Sequence, residues 1–316
     1  MDKSRGEIAF SGILNGMPAR VPLPPQLRSA PFAVGVGRTH GLGAGRMRGP
    51  DLLSPFRGVR VASEARTLHE LCLVYAQRMP PHAFFSGITA AVIMGIPLPH
   101  HLERSRLLHV AVPAPHRAVR GRGIRGSTVR LGADDIREWR GLRISSPSRV
   151  WCELAQVLSV PDLVAAGDFL IQWRLPSTTK EALARAVDEY AGRRGRPAMR
   201  EAIGHLDDRS ESRPESIVRV ALAGGGVDGF IPNQWVTTSG GHRCRIDLAI
   251  PGRKLAIEYQ GEHHNDSKQF HDDMTRRSRL EADGWAVMFI GAGDLDDPAE
   301  LLQRIRRMLD SRPHAR

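Results

Sequence analysis

Two hydrophobic periods divide the chain. From Glu64, apolar residues Leu68, Leu71, Cys72 and Tyr75 recur at helical spacing until Pro80-Pro81, which predicts a helix that ends there. Ser86 opens a second short helix, in which Ala90, Val92, Ile93 and Met94 lead into Gly95-Ile96-Pro97. Residues 107–112 and 124–131 read as strands joined by an arginine-rich hairpin that carries Arg117, Arg120, Arg122 and Arg125. Helices resume over 147–158, 161–173, 178–190 and 197–206. In the third of these, Thr178 stands three residues before Glu181, as in a capping box.

The last third of the chain reads differently. Ser212 can cap a helix over 212–223, with Pro214 in its first turn and Gly224-Gly225-Gly226 at its end. Alternating runs over 243–250 and 254–259 flank Pro251-Gly252 and predict a hairpin. With Ile250 opposite Arg253, Asp247 faces Ala256 and Arg245 faces Glu258. Ile246, Leu248, Ile250, Leu255, Ile257 and Tyr259 then share an apolar face, and Asp247, Glu258 and Gln260 fall on the other. Carboxylates diagonal across such a pair lie within about 7–8 Å at Cβ, close enough to hold one hard cation. A one-residue slip would destroy the arrangement. A helix over 268–283, carrying Asp273 and Arg276, precedes an apolar strand over 285–290, and a final helix over 298–309 presents Leu301, Leu302, Ile305 and Leu309 on one stripe. This order places strands 254–259 and 285–290 in one mixed sheet, joined by a helical crossover.

Composition adds the organisation. Residues 1–60 hold 10 Gly and 7 Pro and read as an irregular extension; 61–206 form a basic, mainly helical region; 207–213 are a polar linker; 214–316 are a separate domain. Gly35-Val36-Gly37 has no preceding strand and no following Lys-Ser/Thr, so it is not a phosphate loop. Of 45 basic and 34 acidic residues, 30 and 18 lie in 1–210, leaving 15 and 16 for 211–316. A basic module joined to a neutral one suggests that one part holds a polyanion while the other acts on it. Arg193, Arg194 and Arg196 form a second basic cluster, and a solvated turn is the alternative reading for it. Cys72, Cys152 and Cys244 are too few and too far apart for a disulfide framework or a cysteine zinc site, which fits a reducing cytoplasm. No signal-peptide core follows the charged N-terminus, and the longest apolar run, 84–99, is too short and proline-rich to span a bilayer.

The spacing Asp247-(x10)-Glu258-Tyr259-Gln260, with Glu215 on the preceding helix, resembles the PD-(D/E)xK nuclease core. More specifically, Ile257-Glu258-Tyr259-Gln260-Gly261-Glu262-His263-His264, followed by Asp273, Arg276, Leu280 and Gly284-Trp285, is similar to bacterial proteins with a domain like the very-short-patch-repair endonucleases. The likeness covers about 211–295. Upstream, Phe85-Ser86-(x2)-Thr89-Ala90-Ala91-(x3)-Gly95-(x1)-Pro97-Leu98-Pro99 resembles the region found beside such domains in actinobacterial chains, itself similar to abortive-infection type IV antitoxin regulators. The expected fold is α+β: a mainly helical, winged-helix-like DNA-binding region followed by a restriction-endonuclease-like mixed sheet flanked by helices.

The resemblance implies Mg²⁺-dependent phosphodiester hydrolysis on double-stranded DNA, with Mn²⁺ as a substitute ion. Asp247 and Glu258 would ligate the metal with the Tyr259 carbonyl, and Glu215 would complete the shell directly or through water. The family usually has Lys two residues after the Glu, where this chain has Gln260. A glutamine orients water but takes no proton, which makes His264 the nearest candidate base. Arg117, Arg120, Arg122, Arg125, Arg193, Arg194, Arg196 and Arg276 are the DNA-contact candidates. The alternative function is a non-catalytic DNA-binding transcriptional regulator, antitoxin-like, whose nuclease fold has lost its chemistry. Plainer roles exist for single residues. Glu215 can serve only as a capping partner. Asp247 and Glu258 can be a solvated face paired with Arg243 and Arg245. Asp273 and Arg276 can be a surface pair. His263, His264 and His271 hint at zinc, but nothing supplies the remaining ligands.

Overall fold

A computed structural model describes residues 21–260, 267–295 and 297–312, with backbone alone for 267–272. It separates into two compact units, residues 1–79 and 80–316. The first begins with α1 (Pro25–Arg28), β1 (Phe32–Ala33) and α2 (Val34–Thr39). It continues with β2 (Val59–Arg60), antiparallel to β1, and α3 (Leu68–Ala76). Thr67 and Glu70 close a capping box at the start of α3. The Gly/Pro-rich stretch is therefore not irregular where it is described, because Leu23, Leu27, Phe32, Leu42, Met47 and Leu52 bury one another in a small core. Residues 1–20 lie outside the described residues.

The second unit opens with β3 (Phe84–Phe85), α4 (Gly87–Met94) and α5 (His100–Glu103). Four strands follow: β4 (Leu108–Pro113), β5 (Ile124–Val129), β6 (Ile136–Trp139) and β7 (Leu142–Ser145). They join β3 in a five-stranded mixed sheet of order β5-β4-β3-β7-β6. The region keeps the helical majority expected of it, but β3, β6 and β7, which the sequence did not display, join the two expected strands β4 and β5. Its short strands lacked the alternation that would have betrayed them: Phe84-Phe85 is buried on both faces and β6 is half exposed. The arginine-rich hairpin is also corrected, since β4 and β5 run parallel. The connector returns along β5 so closely that a Cβ on Gly126 would meet Val119 O at 1.9 Å.

Helices α6 (Pro147–Leu154), α7 (Val160–Ile171), α8 (Lys180–Glu189) and α9 (Arg196–His205) come next. The cap of α8 is Thr179, which accepts from Ala182 N, one residue beyond the predicted Thr178. Thr178 Oγ1 instead meets Ser148 Oγ at 2.9 Å on α6, a tertiary contact invisible to local spacing.

The remaining elements are α10 (Arg213–Gly224), β8 (Ile231–Thr237), β9 (Arg243–Ile250), β10 (Leu255–Tyr259), α11 (Ser267–Ala282), β11 (Ala286–Ile290) and α12 (Pro298–Asp310). Their sheet has the order β11-β10-β9-β8, with β10 and β11 parallel across the α11 crossover. Together the elements confirm the α+β class. On one face, Leu248, Ile250, Leu255, Ile257, Met288 and Ile290 pack with Val218 and Leu222 of α10 and Leu301 and Ile305 of α12. On the other, Cys244, Ile246, Ala249 and Ala256 pack with Leu280 of α11. Each such fully buried aliphatic side chain is worth about 1.5–3 kcal/mol.

Residues 205–219 are tied to α7 through a buried polar network. Asp168 of α7 is 1% exposed and accepts from Arg219 Nη2 (2.5 Å), Ser216 Oγ (2.7 Å) and Asp207 N (2.8 Å). Arg219 also reaches Ser210 Oγ and the His205 carbonyl. The predicted linker 207–213 thus contributes Asp207 N–H and the buried Ser210 to this network. Asp168→Ala leaves a buried guanidinium without its anion and should lower the unfolding free energy by about 3–5 kcal/mol in urea titrations. Asp168→Leu combined with Arg219→Met should cost less than Asp168→Ala alone.

Candidate functional site

The carboxylates that sequence spacing singles out meet at one end of the four-stranded sheet. The pairs Leu255↔Ile250, Ala256↔Ala249 and Ile257↔Leu248 set the β9–β10 register two residues away from the predicted one. The turn is longer than Pro251-Gly252: Pro251–Arg253 form a 3-10 turn, and Lys254, at φ 47°, completes it by bonding back to the Pro251 carbonyl. A two-residue shift keeps every side chain on its own face. Continued one step, the observed register brings Asp247 directly across from Glu258.

One further correction concerns Ile246, which packs with Ala249 and Ala256 and not with Leu248 and Ile250. The alternation of β9 reverses at Asp247. There the β8–β9 pairing passes from Pro232↔Leu248 to Gln234↔Ile246 and omits Asn233, whose φ is 50°. Asn233 was not legible as a site residue, because Pro232-Asn233 argues against a strand. An edge strand tolerates the proline, and β8 is an edge. Asn233 Nδ2 donates to Glu215 Oε2 (2.7 Å), and its Oδ1 accepts from Arg245 Nε (2.8 Å).

Asp247 Oδ2 accepts from Tyr259 N at 3.0 Å, which fixes its carboxylate beside β10. Glu258 is 3% exposed. Its Oε2 meets Arg276 Nη2 of α11 at 3.0 Å, while its buried Oε1 has no hydrogen-bond partner among the described residues. Arg276 also reaches Asp273 (3.4 Å) and the Arg245 carbonyl (2.7 Å). The Asp273–Arg276 surface pair is therefore half of a larger arrangement. Burial and the neighbouring Asp247 charge raise the Glu258 pKa to about 8, against the opposing pull of Arg276. Burial likewise raises Asp247, and burial with the Asp247 charge raises Glu215.

Glu215 performs its plainer role as well. Its N–H is capped by Ser212 Oγ (3.3 Å), and its carboxylate accepts from Glu211 N (3.1 Å). Arg243 and Arg245 do not pair with Asp247 or Glu258: Arg243 stacks on Trp235 and Arg245 bonds Glu211 and Asn233. Gln260 is exposed, and its N–H donates to the Ile290 carbonyl. Glu262, His263 and His264 lie outside the described residues, as does the side chain of His271.

Among the described residues no group of three or more His, Cys, Asp or Glu side chains is gathered to hold a metal ion. The fit of a hard cation therefore rests on two carboxylates. Mg²⁺ is commonly held by one or two carboxylates with water completing its shell. The Oε1 of Glu258, which has no hydrogen-bond partner among the described residues and whose carboxyl feels the Asp247 charge, suits that chemistry.

Of the DNA-contact candidates, Arg117, Arg120, Arg122 and Arg125 are exposed on β5 and the segment before it, and Arg193 and Arg194 are exposed after α8. Arg196 is turned to a structural task, donating to the Tyr190 carbonyl at 2.6 Å. Arg276 is about one-third exposed and held by Glu258. Among the described residues no helix is long and apolar enough to cross a membrane.

Glu258 should make stability pH-dependent. A carboxyl whose folded pKa is raised contributes stability that is present below its unfolded value, near 4.5, and is lost as pH rises through about 8. Glu258→Gln stays uncharged throughout. Chemical denaturation should therefore show the variant gaining on the wild type between pH 5 and 8; parallel curves would refute the buried titration.

No family model and no solved structure matches the chain. It is 30% identical over 263 residues to two Mycobacterium tuberculosis proteins, Uncharacterized protein MT2308 of strain CDC 1551 / Oshkosh and Uncharacterized protein Rv2248 of strain ATCC 25618 / H37Rv. The match covers 82% of this chain and 93% of each relative. At that identity and coverage, the chain belongs to the same family as these mycobacterial proteins.

Proposed function

We propose that the chain is a metal-dependent DNA endonuclease or nickase that hydrolyses phosphodiester bonds at the Asp247–Glu258 end of its C-terminal sheet. The observation that carries this reading is the buried Oε1 of Glu258, without a hydrogen-bond partner among the described residues, on a carboxyl that feels the Asp247 charge. Mg²⁺ or Mn²⁺ bound there supplies acidified water and neutralises charge growing on the phosphate. Asp247, held by Tyr259 N–H, and Glu258, held by Arg276, would present oxygens to the ion. Gln260 would orient water without taking its proton, and His264 is the candidate base. The exposed arginines around β5 would hold duplex DNA through its phosphates. Three free, buried cysteines suit a reducing cytoplasm.

A second reading, a DNA-binding regulator without catalysis, draws support from Arg276. Its guanidinium already gives Glu258 a counter-charge, and no lysine stands at position 260. Nicking of supercoiled plasmid in Mg²⁺ or Mn²⁺ separates the two. The nuclease reading expects cleavage that falls about 100-fold or more in Asp247→Ala and Glu258→Ala. Tight duplex binding with no cleavage in either ion would establish the regulator instead.

A further inference from the structure

Ser86 of the Phe85-Ser86-(x2)-Thr89-Ala90-Ala91 motif takes no part in the carboxylate site, yet with Gly87 and Ile88 it lines a cavity of about 480 Å³. That volume lies within the roughly 300–1,000 Å³ of small-ligand pockets. The cavity opens where β5, the start of α4, the end of α6 and the segment after α8 converge.

Its polar lining is only partly spent on the fold. Glu153 is satisfied, accepting from Arg149 Nε (2.9 Å), Gly87 N (2.7 Å) and Ser145 Oγ (3.0 Å). Arg149 in turn pairs with Glu153 and Asp135. Arg125 and Arg130, exposed on and just after β5, also line the cavity, and neither has an acidic partner among the described residues. The lining thus holds three arginines against one carboxylate. Ser86 occupies the N-cap of α4 and is 6% exposed, but its hydroxyl makes no capping hydrogen bond, although Ser is favoured there for that bond. Ser86, a largely buried residue at the N-terminus of α4 with no capping bond, and two guanidinium groups without acidic partners among the described residues line the same cavity, an arrangement suited to an anion.

We propose that this cavity binds a phosphate group, with Arg125 and Arg130 as charged partners and the Ser86 hydroxyl as a hydrogen-bond donor. The phosphate can come from a free nucleotide or from a nucleic-acid strand, and its binding does not depend on the carboxylate site. His109 of β4 also lines the cavity. Burial first, and the Arg125 charge second, push its pKa down to about 4, and an anion bound in the cavity would offset the Arg125 contribution.

The test uses the full chain with four probes: inorganic phosphate, adenosine 5′-monophosphate, and a trinucleotide with and without a 5′-phosphate. Titration calorimetry should give a Kd at or below about 1 mM for a phosphate-bearing probe, and the His109 imidazole resonances should shift with its pKa moving upward. Arg125→Ala and Ser86→Ala should each weaken binding about tenfold, the scale of one charge-assisted hydrogen bond. Neither should lower Tm, since Arg125 is exposed and Ser86 does not cap. Asp247→Ala with Glu258→Ala should bind as the wild type does, whatever the outcome of the nicking assay. Preference for the mononucleotide assigns a free nucleotide; preference for the 5′-phosphorylated strand assigns a nucleic-acid end; equal binding of both trinucleotides assigns the backbone diester. No binding of any probe, or binding unchanged in Arg125→Ala and Ser86→Ala, overturns the proposal.

Discussion

Two carboxylates in a nearly dry corner of a sheet cannot both be ionised unless a cation lies beside them, and that constraint organises the C-terminal end of this molecule. Asp247 meets part of the cost with the Tyr259 N–H, and Glu258 with Arg276. Arg276 comes from α11, the crossover between β10 and β11, and its other donors go to Asp273 and the Arg245 carbonyl. One guanidinium therefore ties the crossover helix to both central strands. It leaves a single oxygen of Glu258 uncommitted among the described residues. The electrostatic need that fixes α11 is the same one on which the proposed divalent-ion site rests.

The break in β9 at Asp247 serves that corner. With uninterrupted alternation, Ile246 and Leu248 would have shared one face. Reversing the alternation at Asp247 lets Ile246 fill the layer under α11 while Leu248 and Ile250 fill the layer under α10 and α12. The left-handed Asn233 on the edge strand permits the break, and its side chain joins Glu215 to Arg245 across it.

Helix α10 belongs to two cores at once. Val218 and Leu222 pack on the C-terminal sheet, while Ser216 and Arg219 meet Asp168 of α7. The carboxylate corner is thereby held to the helical layer that follows the five-stranded sheet. In that sheet, the tightly buried Thr89, Ala90 and Ala91 seat α4 on β4, with the Thr89 hydroxyl accepting from His109 N at 2.8 Å. The small residues of the motif thus have a packing reason, and Ser86 is the member that packing leaves uncommitted.

Local chemistry determined much of this protein before any long-range contact formed. Ser212 caps its helix as its spacing indicates, and the strand–helix–strand run from Leu255 to Ile290 has the parallel crossover that its order implies. These features depend on neighbours within a few residues or on connection length, which a sequence displays directly. Other features required the folded chain. The true hairpin register came from the Lys254 turn, and the strand at Pro232-Asn233 exists because an edge forgives a proline. The parallel pairing of β4 with β5 depends on a connector lying against Gly126, and the core around Phe32 gathers residues between glycines and prolines. Above all, the spacing could place Asp247 and Glu258 on one face, but only tertiary packing could bury Glu258, aim Arg276 at one of its oxygens and leave the other alone. Burial and charge pairing are set by elements distant in sequence, and no local period encodes them.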